Sequence, residues 1–133
     1  MQTNQLTILT IDDSKNIRKT ISDMLCTIKG VGSVKAAECA EEGLELAQIF
    51  KPRLIILDLS MGSTSGLDII PKLKQIRPSP IVIILTNYTQ SLYQQHCSQL
   101  GADFFLDKSL DFHKIIHLTK NLTNVIKSQT NSQ

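Results

Sequence analysis

No apolar stretch of the 133-residue chain approaches the ~18 residues that a membrane span requires. The polar opening MQTNQ lacks the character of a signal peptide. Together these predict a soluble, cytoplasmic protein with no membrane partner. Cysteine is scarce and odd in number: Cys26, Cys39 and Cys97 lie far apart with no CxxC pair. That excludes a disulfide framework and a zinc knuckle, and predicts three buried thiols in a reducing compartment. Charge of one sign is also lacking. Lys and Arg number 14 against 12 Asp and Glu, a net charge of +2, and the basic residues are scattered. Without a basic stripe, nucleic acid is not expected as the primary partner. Repeats, linkers and low-complexity segments are absent. The length fits one domain spanning 1–133, with a core over about 6–126 and a polar tail at 127–133 predicted to fray from Ser128 onward.

What is present is an alternation of strand and helix signals. Leu6–Ile11 is a short β-rich run that ends in Asp12-Asp13. Ser14 is placed to cap a helix whose apolar positions are Ile17, Ile21, Met24, Leu25 and Ile28, with Gly30 and Gly32 as the stop. Val34–Ala37 reads as a weak strand. Ala40, Gly43, Leu44, Ala47 and Phe50 mark a second helix, closed by Pro52. Leu54–Leu57 is a continuous apolar run ending in Asp58. After a Gly/Ser/Thr turn, Ile69, Ile70, Leu73 and Ile76 form a third helical stripe. Pro71 within that stripe requires the helix to start near Asp68. Ile81–Leu85 is another apolar run, ending in Thr86. Tyr93, His96, Cys97 and Leu100 predict a fourth, less stable helix. Phe104–Leu106 is the last strand, ending near Lys108, with Phe104 expected in the core. Phe112, Ile115, Ile116, Thr119, Leu122 and Ile126 define a fifth helix. Strands apolar on both faces imply a parallel sheet covered by helices on each side, an α/β doubly wound (βα)5 fold with a five-stranded sheet.

Polar residues stand at the carboxyl ends of four strands: Asp12 and Asp13, Asp58, Thr86 and Lys108. In an open parallel sheet the ligand site lies outside those ends, at the topological switch point. Three carboxylates brought together repel unless a cation joins them. Hard oxygen ligands suit Mg²⁺, which favours phosphate as a co-ligand, and a nearby Lys is a point charge suited to a phosphoryl group. The set is compatible with phosphoryl transfer. Singly, each of these residues has a plain structural explanation as a turn, cap or surface residue; the joint arrangement does not. His113 and His117, four apart, lack a third metal ligand and read as a solvated helix face, as do Glu38, Glu41, Glu42 and Glu45. His96 is read as bordering the fourth helix rather than acting in catalysis.

The motifs Ile11-Asp12-Asp13-Ser14, Leu57-Asp58-Leu59-Ser60-Met61, Gly66-Leu67-Asp68, Ile84-Leu85-Thr86 and Gly101–Lys108 resemble those of response-regulator receiver domains of the stand-alone, chemotaxis-regulator type. The resemblance covers about residues 6–126. It implies a flavodoxin-like strand order of 2-1-3-4-5. It also implies a phosphorylation-dependent switch or relay in a two-component system, in which Asp58 accepts a phosphoryl group from a histidine kinase or phosphotransfer protein. By the same resemblance, Mg²⁺ would be held by Asp13, Asp58 and the Ser60 backbone carbonyl, with Asp12 acting mainly through a water. Lys108 would pair with Asp58 and then with the phosphoryl oxygens. Thr86 would swing toward the phosphoryl group as Phe105 turns inward. Output would be to a downstream protein through the face made by the fourth helix, fifth strand and fifth helix, from a monomer or weak homodimer. The chain would be no enzyme beyond slow self-phosphorylation from small donors and self-dephosphorylation.

Three positions depart from the family pattern. Gly62 replaces a proline and loosens the loop after Asp58. Asn87 replaces a small residue beside Thr86. Ser109 replaces a proline that follows a cis bond; a cis Lys108–Ser109 bond would cost ~3 kcal/mol, so trans is expected. With Ser60 small and Asn87 and Tyr88 bulky, water access to the phosphoryl group should be crowded and its lifetime long. Two other readings compete. A pseudo-receiver would be a constitutive interaction module. A flavin carrier or haloacid-type phosphatase would share the sheet, but Asp12-Asp13 repels a bare phosphate and lacks the Asp-x-Asp spacing.

Overall fold

The computed structural model describes residues 5–59, 66–87 and 90–131. Its elements are β1 (Leu6–Ile11), α1 (Lys15–Cys26), β2 (Val31–Ala37), α2 (Ala40–Phe50), β3 (Leu54–Asp58), a single 3₁₀ turn (Gly66–Asp68), α3 (Ile69–Lys74), β4 (Ile81–Thr86), α4 (Ser91–Leu100), β5 (Phe104–Asp107) and α5 (Lys114–Asn131). The five strands form one sheet in the order β2-β1-β3-β4-β5, parallel at every pairing.

Side chains alternate across each strand, so the sheet feeds two separate cores. Leu9, Ile11, Ile55, Leu57, Val82 and Ile84 pack on one face beneath α2, α3 and α4, which contribute Ala40, Ala47, Ile70, Leu73 and Cys97. Leu6, Ile8, Leu54, Ile56, Ile83 and Leu85 pack on the other beneath Ile21 and Leu25 of α1 and Ile115 and Ile126 of α5. Each fully buried Leu or Ile stabilises the fold by roughly 1.5–3 kcal/mol, so the three central strands are its stiffest part. α2 approaches β1 closely because Gly43 faces Ile11; a Cβ there would collide with the Ile11 side chain.

The local signals act as expected at most ends. Ser14 caps α1 by accepting a hydrogen bond from the Ile17 amide at 3.2 Å. Pro71 is the third residue of α3, within the first turn, where its missing N–H would have had no intrahelical partner. Gly101 ends α4 at a φ of 116°.

Several expectations are corrected. α1 stops at Cys26, capped by Thr27, before the glycines are reached. β2 starts at Val31 rather than Val34, because Val31 already pairs with Leu6, and Gly32 and Ser33 are carried within the strand by a register shift between the Leu6–Val31 and Ile8–Val34 pairs. The backbone of α5 continues through Asn131, so most of the tail expected to fray extends the helix. No Gly or Pro interrupts residues 127–131, and each added residue gains one helical hydrogen bond. Cys26 is exposed and Cys39 half-buried; only Cys97 is a core thiol, and burial pushes it up from the usual thiol range. Phe104 is 39% exposed, because β5 is an edge strand and this residue lies outside both cores. His96, His113 and His117 are exposed, as are Glu38, Glu41, Glu42 and Glu45.

Candidate functional site

Strand ends place the charged residues. β1 delivers Asp12, β3 ends on Asp58, β4 ends on Thr86, and Lys108 directly follows β5. β1 and β3 are adjacent and in register from Ile8 with Leu54 to Ile11 with Leu57, so Asp12 and Asp58 emerge side by side. Asp12, Asp13 and Asp58 each offer a carboxylate oxygen, and these oxygens lie within 4.8 Å of one another. Asp12 and Asp58 are buried and Asp13 is exposed.

Lys108 reaches in from the rim. Its Nζ lies 2.9 Å from Asp58 Oδ2 and 3.0 Å from Asp12 Oδ2, with its side chain 15% exposed. Its backbone N–H donates to the Thr86 carbonyl at 2.8 Å, which ties the ends of β4 and β5 together. Burial alone would lower the Lys108 ammonium, but its pairing with Asp58 and Asp12 outweighs this and raises it. Burial raises the Asp12 carboxyl; the Ser14 amide, which donates to Oδ1 at 2.8 Å, opposes the shift, and the Asp58 charge adds to it. One ammonium therefore balances one of two buried carboxylates, and an electronegative opening toward Asp13 is left over. That donor set of hard oxygens fits a divalent cation such as Mg²⁺.

Thr86 is fully buried at the end of β4. Phe105 is half-buried on β5 and meets Tyr93 of α4 edge to face, ring centroids 6.4 Å apart. Ser60, Met61, Gly62 and Tyr88 lie outside the described residues. The Lys108–Ser109 bond is trans; among the described residues the cis peptide bond is Arg77–Pro78. The two remaining departures touch: Ser109 Oγ donates to Asn87 Oδ1 at 3.2 Å.

Sequence reasoning missed three supports. Arg18 of α1 donates from Nη1 to the Asp12 carbonyl at 2.8 Å and so fixes the main chain between the two leading aspartates. Asp107 Oδ1 accepts from the amides of Ser109 and Leu110, and Asp111 Oδ2 accepts from the Asp107 amide, which shapes the loop that carries Lys108. Hydrogen bonding to the Asp107 amide and to Lys114 holds the Asp111 carboxyl below the usual range. The Asp107–Asp111 spacing was a readable turn signal; Arg18, four residues past a cap, carried none. Thr10, two residues before Asp12, is fully buried, and its Oγ1 has no hydrogen-bond partner among the described residues.

Residues 8–120 match the family model described as the response regulator receiver domain. The chain belongs to that family. Its members act in two-component signalling, generally as phosphoacceptor switches. The chain is 27% identical over 115 residues to the response regulator GacA of Pseudomonas aeruginosa, covering 86% of this chain and 54% of that protein. It is 32% identical over 114 residues to a protein-glutamate methylesterase/protein-glutamine glutaminase of Bacillus subtilis, covering 81% of this chain and 32% of the relative. Thus it spans about half of one relative and a third of the other. Among solved structures, a Burkholderia pseudomallei response regulator with a phosphorylated aspartic acid, a calcium ion and citrate superposes with a TM-score of 0.78 at 26% identity, covering 95% of this chain and 73% of that one. A receiver domain of a LuxO repressor from Vibrio parahaemolyticus superposes at 0.81, with 21% identity and coverage of 97% and 98%, and supports the fold. No helix among the described residues is long and apolar enough to cross a membrane.

Proposed function

We propose that the chain is a single-domain response regulator whose Asp58 accepts a phosphoryl group from a phosphohistidine of a histidine kinase or phosphotransfer protein. The observation that carries this reading is the position of Lys108 Nζ between Asp58 Oδ2 and Asp12 Oδ2, beside three converging carboxylates. In the transfer, the N–P bond of the partner imidazole breaks as a bond from phosphorus to an Asp58 carboxylate oxygen forms, and the imidazole keeps the electron pair. Lys108 then moves its charge to the phosphoryl oxygens. Thr86 donates its hydroxyl to them, and Phe105 turns inward in response. Asp13, Asp58 and the Ser60 carbonyl would hold Mg²⁺, with Asp12 one water removed. When bound, the ion supplies charge neutralisation for the transferring phosphoryl group. The output partner is a protein that reads the α4–β5–α5 face, and the chain works in the cytoplasm as a monomer or weak homodimer, bound to neither nucleic acid nor membrane.

The test is acetyl phosphate labelling with and without Mg²⁺, read by mass spectrometry. One Mg²⁺-dependent phosphoryl group is expected, absent in Asp58→Asn. Mg²⁺ should also raise the melting temperature of the wild type and not of Asp13→Ala. A protein that takes no label from acetyl phosphate or from a phosphorylated histidine donor would instead be a pseudo-receiver, a constitutive interaction module.

A further inference from the structure

At the amino edge of the sheet, far along the chain from the acidic cluster, α2 and α3 end side by side. Between them lies a groove of about 460 Å³ lined by Gln48, Lys51, Lys72, Gln75, Ile76 and Arg77. The groove is shallow and open to solvent: of its lining residues only Ile76 is half-buried and the others are exposed. The cations come from two stretches of sequence about twenty residues apart, the end of α2 and the end of α3.

The plain explanation is that cations complement helix carboxyl ends. Its arithmetic falls short. Each of the two helix ends contributes about half a negative charge at most, while Lys51, Lys72 and Arg77 bring three positive charges, so about two remain uncompensated. No carboxylate lines the groove, and neither Lys51 nor Lys72 has an ion-pair partner among the described residues. Arg77 spends one nitrogen on its own helix end, donating from Nη1 to the carbonyls of Lys74 at 3.0 Å and Ile76 at 3.3 Å. Lys51 adds a second, independent observation. It caps α2 in the left-handed region, at φ 51° and ψ 61°, directly before Pro52. Glycine would hold that conformation without strain, and a residue preceding proline resists it further. The strain falls on a residue whose side chain lines the groove.

We propose that this groove binds a small phosphorylated ligand, of which a nucleotide is the class its lining fits. The excess of about two positive charges, with Arg77 as a third cation, suits a nucleotide's phosphates, a diphosphate more than a monophosphate. Gln48 and Gln75 supply amide donors and acceptors for a sugar or base edge, and half-buried Ile76 offers an apolar surface for a ring. Three cations gathered around one open groove, rather than a track of cations along one face, favour a small molecule over a nucleic-acid backbone.

The experiment uses the full chain in Mg²⁺-free buffer with a chelator, so that the acidic cluster holds no metal that could recruit the ligand. ADP, AMP, inorganic phosphate and adenosine are titrated separately, with binding followed by calorimetry and by amide chemical shifts. ADP should bind and shift the amides of Gln48, Lys51 and Lys72, AMP should bind more weakly, and adenosine should not bind. Lys72→Gln and Lys51→Gly should each weaken ADP by about tenfold, the loss of one charge-assisted hydrogen bond. Lys51→Gly should at the same time raise the melting temperature, which separates lost binding from lost folding. Absence of ADP binding at millimolar concentration, or binding unchanged in both variants, overturns the proposal. So does phosphate binding as tightly as ADP, which would reduce the groove to a bare anion site. Sedimentation with phosphatidylserine vesicles that depends on Lys72, without ADP binding, would assign the cations to a membrane surface and equally overturn it. None of these readouts depends on Asp58 accepting a phosphoryl group.

Discussion

At the carboxyl edge of the sheet, Asp12 and Asp58 are buried and share one lysine; at the amino edge, Lys51, Lys72 and Arg77 stand exposed and share nothing. The strand ends and the connections leaving them carry Asp12, Asp13, Asp107 and Asp111 around Lys108, whereas the connections entering the strands carry Lys29, Lys51, Arg53 and Arg77 against Asp103. Burial makes the difference consequential. Charge taken out of water must be paired or must bind a partner, so the acidic end is poised for a cation and for a change of charge on Asp58. Charge left in water is screened over about 10 Å and acts weakly unless a concave surface collects it.

The largest expected effect tests that asymmetry directly. Lys108→Met removes the ammonium that pairs with two buried carboxylates. Breaking a buried pair by removing one partner costs about 3 kcal/mol at the low end. Urea denaturation without Mg²⁺ should show a loss of that size, partly recovered in Lys108→Met/Asp12→Asn. By contrast, Lys72→Gln at the opposite edge should change stability by less than about 0.5 kcal/mol. Equal losses at the two edges would break the comparison.

A second effect is a pH dependence confined to the acidic edge. Burial raises the Asp12 carboxyl above its ordinary value of 3.8. A folded-state value above the unfolded one means that the native state holds the proton more tightly, so Asp12 favours folding at low pH and that contribution is lost as pH rises through the raised value. Lys108 is also raised, from 10.5; its contribution is complete below 10.5 and is lost only as pH climbs above that value through the folded-state one. Melting curves collected from pH 3.8 to neutrality should therefore show a stability term falling with pH that disappears in Asp12→Asn. A term that persists in the variant would assign the titration elsewhere.

How much of this was legible in the sequence follows from the same contrast. Strand ends are fixed by the strands, so four apolar runs located Asp12, Asp58, Thr86 and Lys108 without any knowledge of contacts. The amino edge is assembled from helix ends, and nothing in the local pattern says that Lys51 and Lys72 face one groove. The junction of α1 and β2 is hard to read because Gly30 and Gly32 resemble stops, although Gly32 lies inside β2 at its register shift. Phe104 was misjudged because apolar composition does not reveal that β5 is an edge. Arg18 escaped notice because its role lies in a contact with a backbone carbonyl, which no side-chain motif announces.

A third effect concerns what lies beneath the acidic edge. Thr10 is buried on β1 with an unpartnered hydroxyl, two residues from Asp12. Valine keeps the branched shape and removes the desolvated oxygen, so Thr10→Val should raise stability by about 1 kcal/mol. Denaturant midpoints report it. If stability falls instead, the hydroxyl has a partner such as an ordered water, and labelling of Asp58 in the variant will tell whether that partner serves the site.

The smallest effect lies at the rim and reads the lifetime of the phosphoryl group. Hydrolysis needs a water in line with the bond between phosphorus and Asp58. Asn87 could crowd that approach, or it could hold the water and speed the reaction. Ser109 Oγ donates to Asn87 Oδ1 at 3.2 Å, so the oxygen that would best orient a water is already occupied. The contact also bridges the loops after β4 and β5, on either side of Lys108. Both features favour crowding. An exposed neutral hydrogen bond contributes about 0.5–1 kcal/mol, and a barrier change of that size alters a rate by about two- to fivefold. Decay of labelled protein should accordingly be faster in Asn87→Ala by that factor, and faster in Ser109→Ala by less, because Asn87 remains in place but is untethered. Tyr88→Ala should also decay faster. Slower decay in Asn87→Ala would show that its amide positions the water. In that case Ser109→Ala, which frees the amide oxygen, should hydrolyse faster than the wild type, and the two variants would move in opposite directions.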